Sequence, residues 1–279
     1  MLKPILKWAG GKRQLLPDIR RRLPRLDWSQ AAYFEPFIGG AALLFDLMPP
    51  RAFINDVNGE LINLYETIRR DQEALIDALR VHRNEESYYY EVRSWDRNPE
   101  EYAQMDAVTR AARLVYLNRT CYNGLYRVNA KGQNNVPFGR YKQPDIVQEE
   151  TIRSLASYFQ SADIAMTVGD FEQAVESAQP GDFVYFDPPY DVLTKTAAFT
   201  SYAKDGFGRD EQLRLANLFR ELDGRGVYVM LSNHATDYIR ELYDGFPLHI
   251  VQARRNINSK ATARGAVDEV LVMNYQLEE

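Results

Sequence analysis

Apolar positions along this chain change their period several times, and the changes mark out its elements. Tyr33-Phe34 reads as a short strand, and the glycine-rich turn after it opens an apolar helix through Leu43, Leu44 and Phe45. Arg51-Ala52-Phe53-Ile54-Asn55-Asp56 reads as the next strand, ending in a carboxylate. The spacing then becomes three and four. Leu61, Leu64, Tyr65 and Ile68, then Leu75, Ile76 and Leu79, then Val108, Ala111, Ala112, Val115 and Tyr116 predict helices as far as about Asn118. From Thr120 to Pro144 the texture turns to Gly, Asn and Tyr, which predicts a hairpin and loops. Strands and helices alternate again from Glu149. Ile164–Val168, the uncharged run Phe183–Phe186 and Val227–Leu231 read as strands, and Leu213–Leu222 and Tyr238–Tyr243 as helices. Leu248–Val251 and Val270–Met273 read as a closing antiparallel pair. The order predicts an α/β fold, a doubly wound sheet interrupted by a mostly helical insert. The expected domains are residues 1–57 with 146–279, and an inserted domain over residues 58–145. No internal repeat or low-complexity segment is visible.

Composition narrows the classes. With 279 residues and 45% hydrophobic content, the chain has material for a large core. One cysteine, Cys121, excludes a disulfide framework and points to a reducing, cytoplasmic setting. His82, His234 and His249 lie far apart and show no ligand spacing, so neither a metal site nor a histidine-based triad is expected. No apolar stretch approaches the ~18 residues of a membrane span, and the first residues lack the apolar core of a signal peptide. The net charge of −5 argues against a polyanionic partner. Its distribution argues the other way. Residues 107–144 hold Arg110, Arg113, Arg119, Arg127, Lys131, Arg140 and Lys142 without one acid. Residues 1–17 and 245–267 are likewise basic and free of acids, and such segments suit a phosphate-binding face.

Asp187-Pro188-Pro189-Tyr190 follows the buried strand directly. It puts a carboxylate, a proline carbonyl and an aromatic face at the carboxyl end of a sheet, where open α/β folds hold ligands. The prolines remove two backbone donors, so the turn offers acceptors. Acceptors beside a π-face suit a flat base with an exocyclic amino group. Gly39-Gly40 lies between a strand and a helix, where the chain turns tightly and a ligand can approach the backbone. Asp56, seventeen residues past Gly39, can accept both hydroxyls of a ribose. No G-x-G-x-x-G is present, and Gly10-Gly11-Lys12 is not a phosphate loop. A cofactor with ribose but no phosphates fits best, and S-adenosylmethionine is the obvious one.

Together these pieces resemble the Dam family of DNA adenine-N6 methyltransferases. The resemblance rests on Leu6–Lys12, Glu35–Gly40, Asn55–Asn58, Tyr122–Leu125, Asn135–Tyr141, Asp187–Tyr190, Phe199–Tyr202 and Leu231–Asn233, in the family's order along nearly the whole chain. It implies a Rossmann-like methyltransferase sheet with an inserted DNA-recognition domain, S-adenosylmethionine as cofactor and double-stranded DNA as partner. It further implies no obligate protein partner, a bacterial or phage-encoded cytoplasmic protein, and GATC as the usual target. Trp8, Lys12, Asp56 and Asp187 resemble residues lining the cofactor site. Glu35, Phe37 and Gly39 would border it, and Asp170 with Phe171 would meet its adenine. Tyr122 and Asn123 match residues that wedge into the duplex. Lys7, Leu125, Arg127 and Pro137 match residues near the target bases, and Arg140 a phosphate contact. In the implied chemistry Asp187 and the Pro188 carbonyl each accept one N6–H of a flipped adenine, and Tyr190 stacks on it. Pro189 completes the turn. One departure is visible: Ala41 stands where the family's pattern has a glycine. Two other readings have different acceptors or none. One is a methyltransferase of an RNA base or a glutamine amide, and the other is a DNA-binding protein that has lost catalysis.

Overall fold

The computed structural model describes residues 2–8, 11–191, 207–254 and 266–277. Phe199–Tyr202, Ala9, Gly10 and the basic residues of 255–265 therefore lie outside the described residues. Seven strands form one sheet: β1 (Tyr33–Glu35), β2 (Arg51–Asp56), β3 (Asp163–Val168), β4 (Phe183–Phe186), β5 (Tyr228–His234), β6 (Leu248–Arg254) and β7 (Ala266–Met273). Their order is β3-β2-β1-β4-β5-β7-β6. Strand β1 runs parallel to both β2 and β4, and β4 parallel to β5. Strand β7 is antiparallel to both β5 and β6. The chain leaves β1 for β2 on one side and later enters β4 on the other, so the strand order reverses between β1 and β4. A crevice opens at the carboxyl ends of the strands at such a point. This is the doubly wound α/β sheet that the alternation of periods predicts, in the Rossmann-like arrangement that the resemblance implies.

By contacts the chain forms two compact units. The first comprises Met1–Gly11, Gly39–Met48 and Asn58–Val168, and the second Lys12–Ile38, Pro49–Val57 and Gly169–Glu279.

The second unit carries most of the sheet. Strand β4 is buried at all four positions, which is why its sequence shows no alternation. Phe34 and Phe53 are register partners on β1 and β2, and their rings stack at 4.6 Å. Two short helices precede and follow this run: α1 (Leu16–Arg20) before β1 and α2 (Leu44–Leu47) in the first unit. The helix expected after the glycine turn is thus a single turn. Met48 adopts a left-handed φ of 50° and Pro49-Pro50 follow, so the helix cannot continue.

The first unit is mostly helical: α3 (Gly59–Arg80), α4 (Glu86–Ser94), α5 (Pro99–Gln104), α6 (Ala107–Thr120) and α7 (Glu149–Ser161). Helix α3 starts where the Asn58 side chain accepts the N–H of Glu60, and α6 where Asp106 accepts that of Thr109. Leu61, Leu64, Tyr65, Ile68, Leu75, Ile76 and Leu79 are all buried, as their spacing predicts. Residues 121–148 contain two isolated bridges, Cys121 to Phe138 and Val128 to Asn134.

Two helices complete the second unit: α8 (Arg209–Gly224) and α9 (Asp237–Leu242). Helix α8 buries Leu215, Phe219 and Leu222 against Val184, Phe186, Val229 and Leu231. Strand β5 runs three residues past the expected Leu231 and brings Ser232 and Asn233 to its end, both fully buried. Among the described residues, no helix is long and apolar enough to cross a membrane. None of their His, Cys, Asp and Glu side chains form a group able to hold a metal ion.

Candidate active site

Acids collect at the carboxyl ends of the second unit's strands. Glu35 ends β1, Asp56 ends β2, and Asp187 follows β4 directly. Glu35 is buried and accepts the Tyr33 hydroxyl at 2.7 Å. Asn55 is also buried, and its side-chain amide donates to the carbonyls of Pro36 and Gly169. It thereby ties the turn after β1 to the segment that carries Asp170.

Asp187 is held by two donors. Lys12 Nζ lies 2.7 Å from its Oδ1, and Ser232 Oγ donates to the same oxygen at 2.9 Å. Oδ2 accepts no hydrogen bond from the described residues. Lys12 is buried, and a buried ammonium is tolerable only when paired. Its Nζ also lies 4.5 Å over the Tyr190 ring. Burial pushes the Asp187 carboxyl above its ordinary range, and the Lys12 and Ser232 contacts hold that rise back.

The proline turn is bolted to β5 and α8. Gln212 Nε2 donates to the Pro189 carbonyl at 2.8 Å, and Gln212 Oε1 accepts from Asn233. Asn233 Oδ1 accepts the N–H of Asp191, and Thr236 donates to the Asp191 carboxylate. The Pro189 carbonyl is thus committed to the scaffold. The Tyr190 hydroxyl donates to Glu269 Oε2 at 2.9 Å, and the His234 ring meets Tyr190 edge-on at 4.9 Å. Gln212, Glu269, His234 and Asp191 were not anticipated from sequence. A glutamine in the apolar stripe of α8 and an asparagine inside a strand were the available signals.

Phe37 and Phe171 stack at 5.4 Å, with Phe207 edge-on to Phe37 at 5.5 Å. Asp170 accepts from the N–H of Glu172 and from Arg214 Nη2, and the Arg214 guanidinium lies 4.9 Å over Phe171. Phe37, Asp170 and Phe171 therefore share one aromatic-acidic corner, and Phe207 is an addition to it.

In the first unit Trp8 explains the glycine pair. A Cβ on Gly39 would lie 2.8 Å from Trp8 Nε1, and one on Gly40 2.8 Å from Trp8 Cβ. What approaches this backbone is an indole, which also stacks on Tyr126 at 5.2 Å. The Tyr65 hydroxyl fixes the turn through the Gly39 carbonyl at 2.6 Å.

Lys7, Tyr122, Asn123, Leu125, Arg127, Pro137 and Arg140 all belong to this unit, and all but Leu125 are exposed. The backbone of Lys7 exchanges two hydrogen bonds with the Asn118 side chain, which also donates to the Gly124 carbonyl. The N–H of Tyr122 donates to the Pro137 carbonyl. Arg127 is held by Asn135, through both Oδ1 and the main-chain carbonyl. Not every basic residue of 107–144 is available to a ligand. Arg113 is buried against Asp96 and two carbonyls, Arg110 pairs with Glu60, and Arg119 donates to the Asp145 carbonyl. Arg127, Lys131, Arg140 and Lys142 remain exposed.

A Rossmann-like sheet with acids at its carboxyl ends and an Asp-Pro-Pro-Tyr turn at the switch point defines a class, the amino-methyltransferases. The chain belongs to the D12 class of N6 adenine-specific DNA methyltransferases, whose family model matches residues 8–257. It is 49% identical over 276 residues to the type II methyltransferase M1.LlaDCHI of Lactococcus lactis subsp. cremoris, spanning 98% of this chain and 96% of that protein. It is 42% identical over 292 residues to the type II methyltransferase M.MjaIII of Methanocaldococcus jannaschii, spanning 98% and 99%. To the DNA adenine methylase of Escherichia coli strain K12 it is 36% identical over 277 residues, spanning 97% and 95%. It is thus an adenine-specific DNA methyltransferase acting on DNA with a methyl donor.

Proposed function

We propose that the protein transfers a methyl group from S-adenosylmethionine to N6 of a flipped-out adenine in double-stranded GATC. The observation that carries this reading is the Asp187 carboxylate, clamped through Oδ1 beside the Tyr190 ring. Adenine N6 is a weak nucleophile because its lone pair is delocalised into the ring. Asp187 Oδ2 and the Pro188 carbonyl each accept a hydrogen bond from one N6–H and let the nitrogen become more tetrahedral, and the one proton lost on methylation would leave along these bonds. A lone pair freed in this way could attack an electrophilic methyl group, and the carboxylate would offset the positive charge that develops.

The residues fit the cofactor. A sulfonium and an ammonium suit the acidic ends of the strands, two ribose hydroxyls suit Asp56, and a flat adenine suits Phe37, Asp170 and Phe171. Glu35 belongs to the same unit as that set, and the resemblance adds Trp8 and Gly39 as further cofactor-binding residues. When bound, the cofactor supplies an electrophilic methyl group. The exposed loops with Lys7, Tyr122, Asn123, Leu125, Arg127 and Pro137 support base reading, and Arg140 supports phosphate contact. GATC is the target that the resemblance in these loops implies.

DNA from cells expressing the protein, digested with nucleases that sense adenine methylation in GATC, tests the reading. Protection of GATC sites is expected. Labelled methyl groups appearing in RNA or protein, or in DNA only outside GATC, would overturn it.

A further inference from the structure

Two buried hydroxyls stand behind Asp187 and have no part in the chemistry so far. Tyr185 and Ser232 are both fully buried, on the adjacent parallel strands β4 and β5. Their oxygens lie 3.0 Å apart, and Ser232 Oγ lies 2.9 Å from Asp187 Oδ1. A serine has one proton, and an ionised carboxylate can only accept. The Ser232 proton is therefore spent on Asp187, and the Tyr185 hydroxyl must donate to Ser232 Oγ. The direction of the chain is fixed: Tyr185 to Ser232 to Asp187. Tyr185 and Ser232 are buried, so each bond polarises the next at low local dielectric, which strengthens the last one.

Ser232 and Lys12 both reach Oδ1. A carboxylate held by two donors on one oxygen cannot rotate freely, so Oδ2 keeps one direction. We propose that Ser232, backed by Tyr185, is a positioning residue that holds the Asp187 carboxylate ionised, with Oδ2 turned to the adenine amino group. This rests on the reading of Asp187 as the N6–H acceptor.

The alternative is a structural serine that merely satisfies a buried strand. The two differ in where a substitution is felt. Burial raises the Asp187 pKa, and the Ser232 hydrogen bond is one of the contacts that lower it. The other titratable groups packed around the chain are Lys12, Tyr185, Tyr190, Glu35, Glu269 and His234. Of these only Lys12 contacts the carboxylate directly. Removing the Ser232 donor leaves the same burial and the same Lys12, so the acid limb of the rate profile must move to higher pH.

The experiment is steady-state methyl transfer to a GATC duplex across pH, with S-adenosylmethionine, for wild type, Ser232→Ala, Tyr185→Phe and Asp187→Ala. Ser232→Ala is expected to lower kcat about tenfold, the worth of one hydrogen bond to a charged group, with KM for both substrates within about twofold. Its acid limb should rise, and Tyr185→Phe should shift the limb the same way by less. A Ser232→Ala enzyme with the wild-type limb, or with its loss confined to KM, overturns the proposal. Should Ser232→Ala not fold, the limb of Tyr185→Phe decides in the same sense. Asp187→Ala separates the two levels. If it stays active, the acceptor reading itself falls. If it is dead while Ser232→Ala keeps the wild-type profile, only the positioning role falls.

Discussion

In the proposed role Asp187 can offset the developing positive charge only when ionised, and burial raises its pKa above the ordinary carboxylate value of about 3.9. The sign follows directly. Lowering the pH protonates Asp187 earlier than an exposed aspartate, so methyl transfer should fall off at a higher pH than that value. The Lys12 ammonium counteracts the shift from 2.7 Å. Lys12→Met should therefore move the acid limb of kcat further up, as a pH–rate profile would read. Ala41 presents the opposite case, a residue whose backbone and not its side chain is under load. It is buried and holds a left-handed φ of 56°, a conformation costing an L-residue roughly 1–2 kcal/mol. Ala41→Gly relieves that strain but loses a buried methyl worth about 0.8 kcal/mol and frees the unfolded chain. The substitution should come out near neutral by chemical denaturation. Ala41→Val, β-branched at the same φ, should destabilise by more than about 2 kcal/mol. The glycine that the family's pattern has at this position suits that backbone.

Among elements, the loops between α6 and α7 carry the sharpest contrast. Arg127 is pre-oriented by two hydrogen bonds that it donates to Asn135, whereas Arg140 is exposed, with one long contact to Glu86. A pre-oriented fork suits a guanine edge, worth roughly 1–3 kcal/mol of discrimination, and a loosely held, exposed arginine suits a phosphate. Arg127→Ala should relax the proposed preference for GATC over singly altered sites, while Arg140→Ala should weaken all sequences alike. Methylation rates on both duplex types would show it. The same loops show what the sequence made legible. Strand ends and helix faces were readable because burial imposes a period on Leu61, Leu64 and Tyr65 or an unbroken apolar run on Phe183–Phe186. The pairings that brace the site were not. Ser232 and Asn233 stood in a matching motif with no role attached, and Gln212 and Glu269 were not singled out; all four act through partners 21 to 79 positions away, and no local pattern encodes such pairings. The glycine pair was legible as a tight approach, but its visitor, Trp8, was not.

At the scale of the whole molecule, the net charge of −5 coexists with basic surface in the loops. DNA affinity should fall steeply with salt, each neutralised phosphate adding about −0.9 to the slope of log K against log salt. Because Arg110, Arg113 and Arg119 serve the scaffold, their segment should contribute to that slope only through Arg127, Lys131, Arg140 and Lys142. A titration series at several salt concentrations, repeated with those four neutralised, would measure the share. Each compact unit is assembled from three separate stretches of chain, yet the loops fall within one of them, Asn58–Val168. Asn118 grips the backbone of Lys7 just before the loops, and Gln148 grips the Ile5 carbonyl just after them. Asn84, Tyr89, Arg93 and Arg97 also hold the tract, through its main-chain carbonyls and not its side chains, so residues 121–147 should be exchangeable as one cassette, by a single recombination tract, without severing a strand of the sheet. A chimera carrying that tract from a relative with another target should keep its melting temperature and methylate the donor's sites. New specificities in this family would then arise by transplantation as readily as by point mutation.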